Sequence, residues 1–250
     1  MKKTFLSIAV SVSIVSTLPA ENPNIIFIMA DDLGYGELAC YNPDSKIPTP
    51  KMDRLASEGP RFTDAHSPSG VCTPTRYGLL TGCYAWRSRL KSGVLGEHSP
   101  PLIEKDRATF ASLFEQKGYL TARIGKWYLG PGLQRSGQKT LGDPKQNASG
   151  IDHAKPLTPG PLTLGFDYFF GCPASWDMPD DASIENDSLI DSDLVSTKEK
   201  ANGFYRAGLG SKKMKPESAL PDLTAKAISI IKNTAVAQCN LYSSYALVCI

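Results

Sequence analysis

The sequence predicts an α/β fold, and three observations carry that reading. A continuous apolar segment, Asn24-Ile-Ile-Phe-Ile-Met-Ala30, stops abruptly at Asp31-Asp32, as expected of a central strand covered on both faces where it leaves its sheet. A helix-forming stretch closed by Gly118 runs directly into the strand-like Tyr119 to Ile124, the alternation typical of sheets built with crossover helices. The composition, 41% hydrophobic and 21% charged over 250 residues, belongs to a chain that buries a sizeable core, not to a disordered or collagenous one.

The first element is a leader. Lys2-Lys3 precede a mostly apolar run from Phe5 to Leu18 that ends in Pro19-Ala20, so residues 1–20 read as a secretory signal peptide. The run falls short of the ~20 apolar residues of a spanning helix and is interrupted by Ser7, Ser11, Ser13 and Ser16. The expectation is an exported protein, periplasmic or extracellular, with no stable membrane anchor after cleavage. Removing residues 1–20 takes away two lysines and no acid, leaving 25 basic against 25 acidic side chains. Such a balance excludes the strong positive field of a nucleic-acid binder, so no nucleic-acid partner is expected. Six cysteines without a C-x-x-C pair, and only three histidines, exclude a zinc ribbon or a disulfide-stapled mini-domain.

Further along, the spacing predicts a helix over 50–58, with Thr49 as N-cap, Pro50 at the first helical position and Gly59 past the end. A second helix is expected over 107–117, capped by Asp106 and closed by Gly118, feeding the strand at 119–124. Residues 130–163 are rich in Gly, Pro, Ser and Gln and read as a surface excursion. A short strand follows at Phe166 to Phe170, then a helix at 221–232, amphipathic through Leu223, Ala227, Ile230 and Ile231.

Two segments carry chemistry. Asp31 and Asp32 stand where a buried strand ends, the place at which open α/β sheets bind ligands. Adjacent carboxylates need a cation or donors to offset their repulsion, and such hard oxygens suit Ca²⁺ or Mg²⁺. An acidic turn capping the next element is the plain alternative. The second segment is Gly70-Val-Cys72-Thr-Pro74-Thr-Arg76-Tyr-Gly-Leu-Leu-Thr-Gly82. Thr73 and Pro74 suit N-cap and N1, so a helix is expected to start just after Cys72 and set its sulfur beside unpaired N–H groups. Arg76 follows one turn later, where its guanidinium can grip a tetrahedral oxyanion through two donors. A thiol phosphatase needs a Cys-to-Arg separation of six positions, and here it is four.

Residues 70–82 resemble the first sulfatase motif throughout, and Gly118-Tyr-Leu-Thr-Ala-Arg-Ile-Gly125-Lys126-Trp127-Tyr128 resembles the second except at its end. The opening Asn24 to Gly36, and Gly165 to Gly171 with Pro173-Ala-Ser175, are similar to the same family. The resemblance spans most of residues 22–235. It implies an alkaline-phosphatase-like mixed sheet flanked by helices, truncated, with residues 21–236 as the N-terminal part of the catalytic domain.

By that resemblance Cys72 is converted to formylglycine by a formylglycine-generating enzyme. One hydroxyl of the hydrated aldehyde attacks the sulfur of a sulfated carbohydrate or aryl sulfate and expels the alcohol; the other then loses a proton, and re-formation of the carbonyl expels sulfate. Asp31, Asp32 and the modified Cys72 become Ca²⁺ ligands, Arg76 holds the hydrated aldehyde, Lys126 neutralises the sulfate oxygens and Ser175 lines the substrate pocket. The implied activity is sulfuric ester hydrolysis. The alternatives are a phosphodiesterase or phosphonate-ester hydrolase of the same superfamily, or an inactive exported remnant that binds sulfated glycans.

Two departures stand out. Tyr128 occupies a place where the family usually has His, and a phenol carries no positive charge near neutral pH. Sulfatases are also typically about twice as long, with further metal ligands beyond the point where this chain stops. The last stretch, 237–250, is atypical beside the family's usual strand; codons for Cys239 to Tyr245 read from the third base can encode the strand-like Gln-Pro-Leu-Phe-Phe-Leu, which suggests a shifted frame. Lesser features have simpler readings: Asp177 to Asp193 as solvated acidic surface, Arg87, Arg89 and Lys91 as a solvated basic face, and Asn147-Ala-Ser149 and Asn186-Asp-Ser188 as formal glycosylation sites.

Overall fold

The computed structural model describes residues 22–135, 150–178, 181–191, 193–198, 207–213, 215–238 and 245–249. The predicted leader and Asn147-Ala-Ser149 lie outside the described residues. A six-stranded mixed sheet organises the chain, in the order β1 (Ile25–Ile28), β8 (Tyr245–Cys249), β2 (Leu120–Lys126), β3 (Tyr168–Cys172), β4 (Ile184–Glu185) and β5 (Ser188–Leu189). The first four are parallel and the last two close the sheet as an antiparallel hairpin. A separate ribbon pairs β6 (Leu194–Thr197) with β7 (Gly208–Ser211).

Parallel neighbours need crossovers, and the helices supply them. α1 (Pro50–Glu58) follows β1; α2 (Cys72–Thr81) and α3 (Phe110–Glu115) precede β2, with α3 packed on both α2 and β2. α4 (Pro216–Gln238) lies against β2 and β3. Its half-buried residues include Leu223, Ala227 and Ile230, as the periodicity predicts, while Ile231 turns outward. The core is built from Tyr77, Leu80, Leu95, Leu102, Ala111, Trp127, Phe166, Phe169 and Ile184. Trp127 meets Phe166 and Phe169 edge-on, and its indole N–H donates to the Gly130 carbonyl at 3.0 Å, so the largest core side chain leaves no polar atom stranded.

Several expectations change. β1 is not covered on both faces: Ile26, Phe27 and Ile28 are exposed, Ile28 by 71%, and among the described residues β1 lies at the edge of the sheet, paired with β8. The helix expected at 107–117 spans only Phe110–Glu115 and is capped by Thr109, whose hydroxyl accepts from Ser112 N. Asp106 instead occupies a left-handed turn, φ 65°. Thr49 precedes Pro50 as expected but makes no cap; its hydroxyl accepts from Ala39 N and donates to Asp53, tying the preceding loop to the helix. α4 starts earlier than Pro221, which sits inside it. Residues 245–249, read as part of an atypical tail, form the strand between β1 and β2.

One glycine pair sets how β2 and β3 meet. Gly125 and Gly171 face each other in the parallel register, and a Cβ on Gly171 would fall 1.7 Å from the Gly125 carbonyl oxygen. The close approach carries both strands onward together, with Trp127 N donating to Cys172 O and Tyr128 N to Pro173 O, each at 2.9 Å.

Candidate active site

Three strand and helix ends converge. β1 delivers Asp31 and Asp32 in the turn just past its end, with Asp32 at φ 59°. α2 opens on Cys72 itself, with Val71 as the N-cap residue. The expected cap, Thr73, is buried within the first turn, where its hydroxyl accepts from Leu95 N at 3.2 Å. Thr75 donates to Ser69 O at 2.6 Å and fixes the loop leading in. At the far end Gly82 terminates the helix in the left-handed conformation, φ 67°, which glycine adopts without strain. β2 ends on Lys126.

Lys126 joins these parts. Its ammonium lies 2.7 Å from Asp31 Oδ2 and 3.2 Å from Cys72 Sγ, and 5.1 Å from the centre of the Tyr128 ring. Arg76, whose side chain is 1% exposed, reaches Asp31 Oδ2 at 3.4 Å and donates to the Lys126 carbonyl at 2.7 Å. Burial lowers the pKa of this guanidinium, with Asp31 and Cys72 opposing the shift. Asp31, Asp32, Cys72 and Arg76 line one cavity of about 240 Å³ together with Ser67, Ser69 and Thr75. The cavity wall carries the Cys72 sulfur, the Arg76 guanidinium and two carboxylates, while Lys126 is not among its lining residues and meets the site through Asp31 and Cys72.

The structure thus brings Asp31, Cys72, Arg76 and Lys126 into contact and leaves Asp32 on the same cavity wall. Ser175 follows β3, where its carbonyl accepts from Met178 N, and it is not among the residues lining the 240 Å³ cavity. Tyr128, buried and at φ 57°, directs its hydroxyl to Met178 Sδ at 3.3 Å. It shows Lys126 an aromatic face where the family's usual residue would show an imidazole.

Arg123 is the neighbour that no motif reading singled out. It is fully buried, donates to the same Lys126 carbonyl at 2.9 Å and stacks 4.8 Å from the Trp127 ring centre. Burial, and then the charge of Arg76, pull its pKa well below the ordinary arginine value. A basic residue inside the apolar stretch Thr-Ala-Arg-Ile-Gly was the available signal. Cys172, opposite Lys126 in register, is buried and its thiol is pushed up to about 12 by desolvation, so it stays protonated and inert beside the site.

The family model for Sulfatase matches residues 23–233. The chain belongs to the sulfatase family. It is 39% identical over 171 residues to an N-acetylgalactosamine-6-O-sulfatase of Bacteroides thetaiotaomicron, covering 68% of this chain and 30% of that protein. Human arylsulfatase A is 46% identical over 113 residues, covering 45% of this chain and 22% of its own length. A solved structure, from work on the metabolism of multiple glycosaminoglycans by Bacteroides thetaiotaomicron, superposes with a TM-score of 0.73 at 30% identity, covering 92% of this chain and 51% of that one. A Pseudoalteromonas sulfatase structure shares the fold, with a TM-score of 0.58 at 23% identity. The sulfatase chain described here therefore spans about half the length of such solved structures and a smaller share of the curated relatives it matches.

For a sulfatase, the carboxylates of Asp31 and Asp32 are the right kind of donor for Ca²⁺, being hard oxygens on a wall of the cavity that holds Cys72. They supply part of a shell of 6–8 oxygens. Among the described residues no cluster of three or more His, Cys, Asp or Glu side chains is already gathered around one point, and Asp31 is instead balanced by Lys126 and Arg76.

Proposed function

We propose that this chain is the nucleophile-bearing part of an exported sulfuric ester hydrolase acting on a sulfated carbohydrate or aryl sulfate. The observation that carries the reading is the position of the Lys126 ammonium, 2.7 Å from Asp31 and 3.2 Å from Cys72, with Arg76 buried behind both. A sulfate ester held at Cys72 has a cation within reach for its oxygens, supplied by the protein and already desolvated. The leader read at residues 1–20 supports export.

Formylglycine at Cys72 would supply an oxygen nucleophile, and Ca²⁺ held by Asp31, Asp32 and that residue would supply the charge that makes it reactive. The chain's own groups do the positioning. Arg76 fixes the first turn of α2 against the end of β2 through the Lys126 carbonyl, so the nucleophile position and the ammonium keep one separation. Lys126 neutralises negative charge on the sulfate oxygens as the ester bond breaks. The Tyr128 ring lies against the ammonium, its centre 5.1 Å away, and offers a neutral phenol where an imidazole could carry charge.

Peptide mass spectrometry of protein made in a host with a formylglycine-generating enzyme tests the reading. The Cys72 peptide is expected to carry the aldehyde; an unmodified Cys72 in fully matured protein, or conversion at Cys83, overturns it. Parallel assays on aryl sulfate and aryl phosphate esters separate sulfatase from phosphohydrolase activity. The 250-residue chain is expected to bind Ca²⁺ weakly by calorimetry and to hydrolyse sulfate esters poorly or not at all, since Asp31 and Asp32 supply only part of a calcium shell.

A further inference from the structure

An exposed aromatic step stands at the opposite end of α2 from Cys72. Tyr84 and Trp86 are 54% and 59% exposed, with ring centres 5.9 Å apart and planes 15° from parallel. Between them Ala85 is buried in the core, so the short 3₁₀ turn Ala85–Arg87 anchors through its smallest residue and turns its two largest outward. The turn is rigidly held. Arg87 N donates to Tyr84 O at 3.0 Å, Ser88 Oγ to Ala85 O at 2.6 Å and Lys91 Nζ to Trp86 O at 3.1 Å. The Arg89 guanidinium reaches the carbonyls of Pro100 and Pro101.

Two of the three basic residues that the sequence places here are thus tethers. The third, Arg87, lies with its guanidinium 5.8 Å from the Trp86 ring centre, and no carboxylate pairs with it among the described residues. Two adjacent exposed aromatic rings, with a guanidinium over one of them that has no carboxylate partner among the described residues, form a patch able to bind. Their chemistry matches a ligand with flat C–H faces and anionic groups at intervals: pyranose rings lie on aromatic faces, and a sulfate ester accepts two hydrogen bonds from a guanidinium. Ten residues of helix separate this turn from Cys72, about 15 Å along the axis. A single sugar cannot span that distance, whereas a polymer can.

We infer that Tyr84, Trp86 and Arg87 form a docking surface for a sulfated polysaccharide, separate from the Cys72 cavity. The inference names a polymeric ligand class for the sulfatase reading and rests on it for purpose. Its test requires no turnover, so the two can fail separately.

The 250-residue chain is run by affinity electrophoresis through gels containing chondroitin sulfate, chemically desulfated chondroitin or no polymer. Sedimentation velocity is recorded in parallel. Retardation by chondroitin sulfate is expected, with less by the desulfated polymer. Trp86→Ala is expected to weaken the apparent affinity about tenfold, the loss of one stacked aromatic contact, and Arg87→Gln to weaken it and flatten its salt dependence. Cys72→Ala is expected to leave binding unchanged. Because Trp86 is mostly exposed, these variants should retain the parent far-ultraviolet circular dichroism and Tm, which are measured first. The inference is overturned by a parent chain that is not retarded, by Trp86→Ala migrating with the parent, or by loss of binding in Cys72→Ala. A parent dimer that Trp86→Ala disperses would overturn it too, since the aromatic step would then be a self-contact.

Discussion

Arg123→Met is the perturbation that most directly tests how the site is supported. The guanidinium gains one charge-assisted hydrogen bond, to the Lys126 carbonyl, worth roughly 1.5–3 kcal/mol, and a desolvated contact with the Trp127 ring worth about 2 kcal/mol. Against these stand the several kcal/mol needed to bury an ion and the adjacent charge of Arg76. Its Nε and Nη1 are also buried and without hydrogen-bond partners among the described residues, at about 1–3 kcal/mol each. The unpaired N–H groups are part of the same desolvation and not an addition to it, and the Phe166 ring, 6.0 Å away, adds to the favourable side. The unfavourable side is therefore larger by a small margin. Methionine keeps the unbranched shape and contact with the tryptophan, and Arg76 still serves the Lys126 carbonyl. A stabilisation of about 1 kcal/mol is expected, raising Tm by roughly 2–4 °C for a domain of this size. Urea titration with an unchanged m-value, beside calorimetry, is the assay. The linkage has a definite sign. A cation whose folded pKa is depressed makes stability rise with pH between that lowered value and the ordinary arginine value, so the variant should lose this alkaline rise. Destabilisation by more than about 3 kcal/mol, the range for breaking a satisfied buried ion, would refute the reasoning and show Arg123 to be compensated.

Gly171→Ala is expected to prevent β2 and β3 from pairing, since the new Cβ meets the Gly125 carbonyl; loss of soluble protein or of the cooperative unfolding transition is the readout. In a form that turns over, Lys126→Ala should lower aryl sulfate hydrolysis about 10²-fold. Tyr128→Phe, which keeps the ring face and loses the Met178 contact, should cost only a few-fold; equal damage would make the hydroxyl an acid in its own right. Glu185 is held below its ordinary carboxyl pKa of 4.5 by the Tyr168 hydroxyl and then Lys226. Its contribution is therefore present above that value and lost as pH falls through the lowered one, and Glu185→Gln should flatten the acid limb of the stability profile.

The parts of the site that were legible in the sequence are those written in local chemistry. A helix beginning beside Cys72 follows from Thr73 and Pro74 within one segment, although the helix takes in Cys72 itself and Val71, not Thr73, precedes it. The turn at Asp31-Asp32 follows from an apolar run meeting two acids, although β1 itself stops at Ile28. What was not legible depends on partners distant in the chain. β1 has the composition of a central strand, yet its place at the edge is decided by pairing with residues 246–249. Thr109 displaced Asp106 as a cap because its hydroxyl also reaches Leu164 O, 55 residues later, at 2.6 Å. The two-residue strands β4 and β5 are too short to show a period. The role of Arg123 appears only once Arg76 is placed beside it, since a lone basic residue in a strand says nothing of which carbonyl it serves.

The place of β8 bears on how the chain is made. β1 is synthesised first, and its sheet partner is the last described strand, roughly 200 residues later. At 5–20 residues per second that interval lasts roughly 10–40 s. For most of that interval, once it has left the ribosomal tunnel, the apolar Ile25–Ile28 segment lacks its β8 partner, with its backbone donors and acceptors open to any other strand. The residues that fix Asp31 near Lys126 thus arrive after the rest of the described site has been translated. Yield of native protein should therefore depend on holdase chaperones and slow expression temperatures more than on the strength of the finished core.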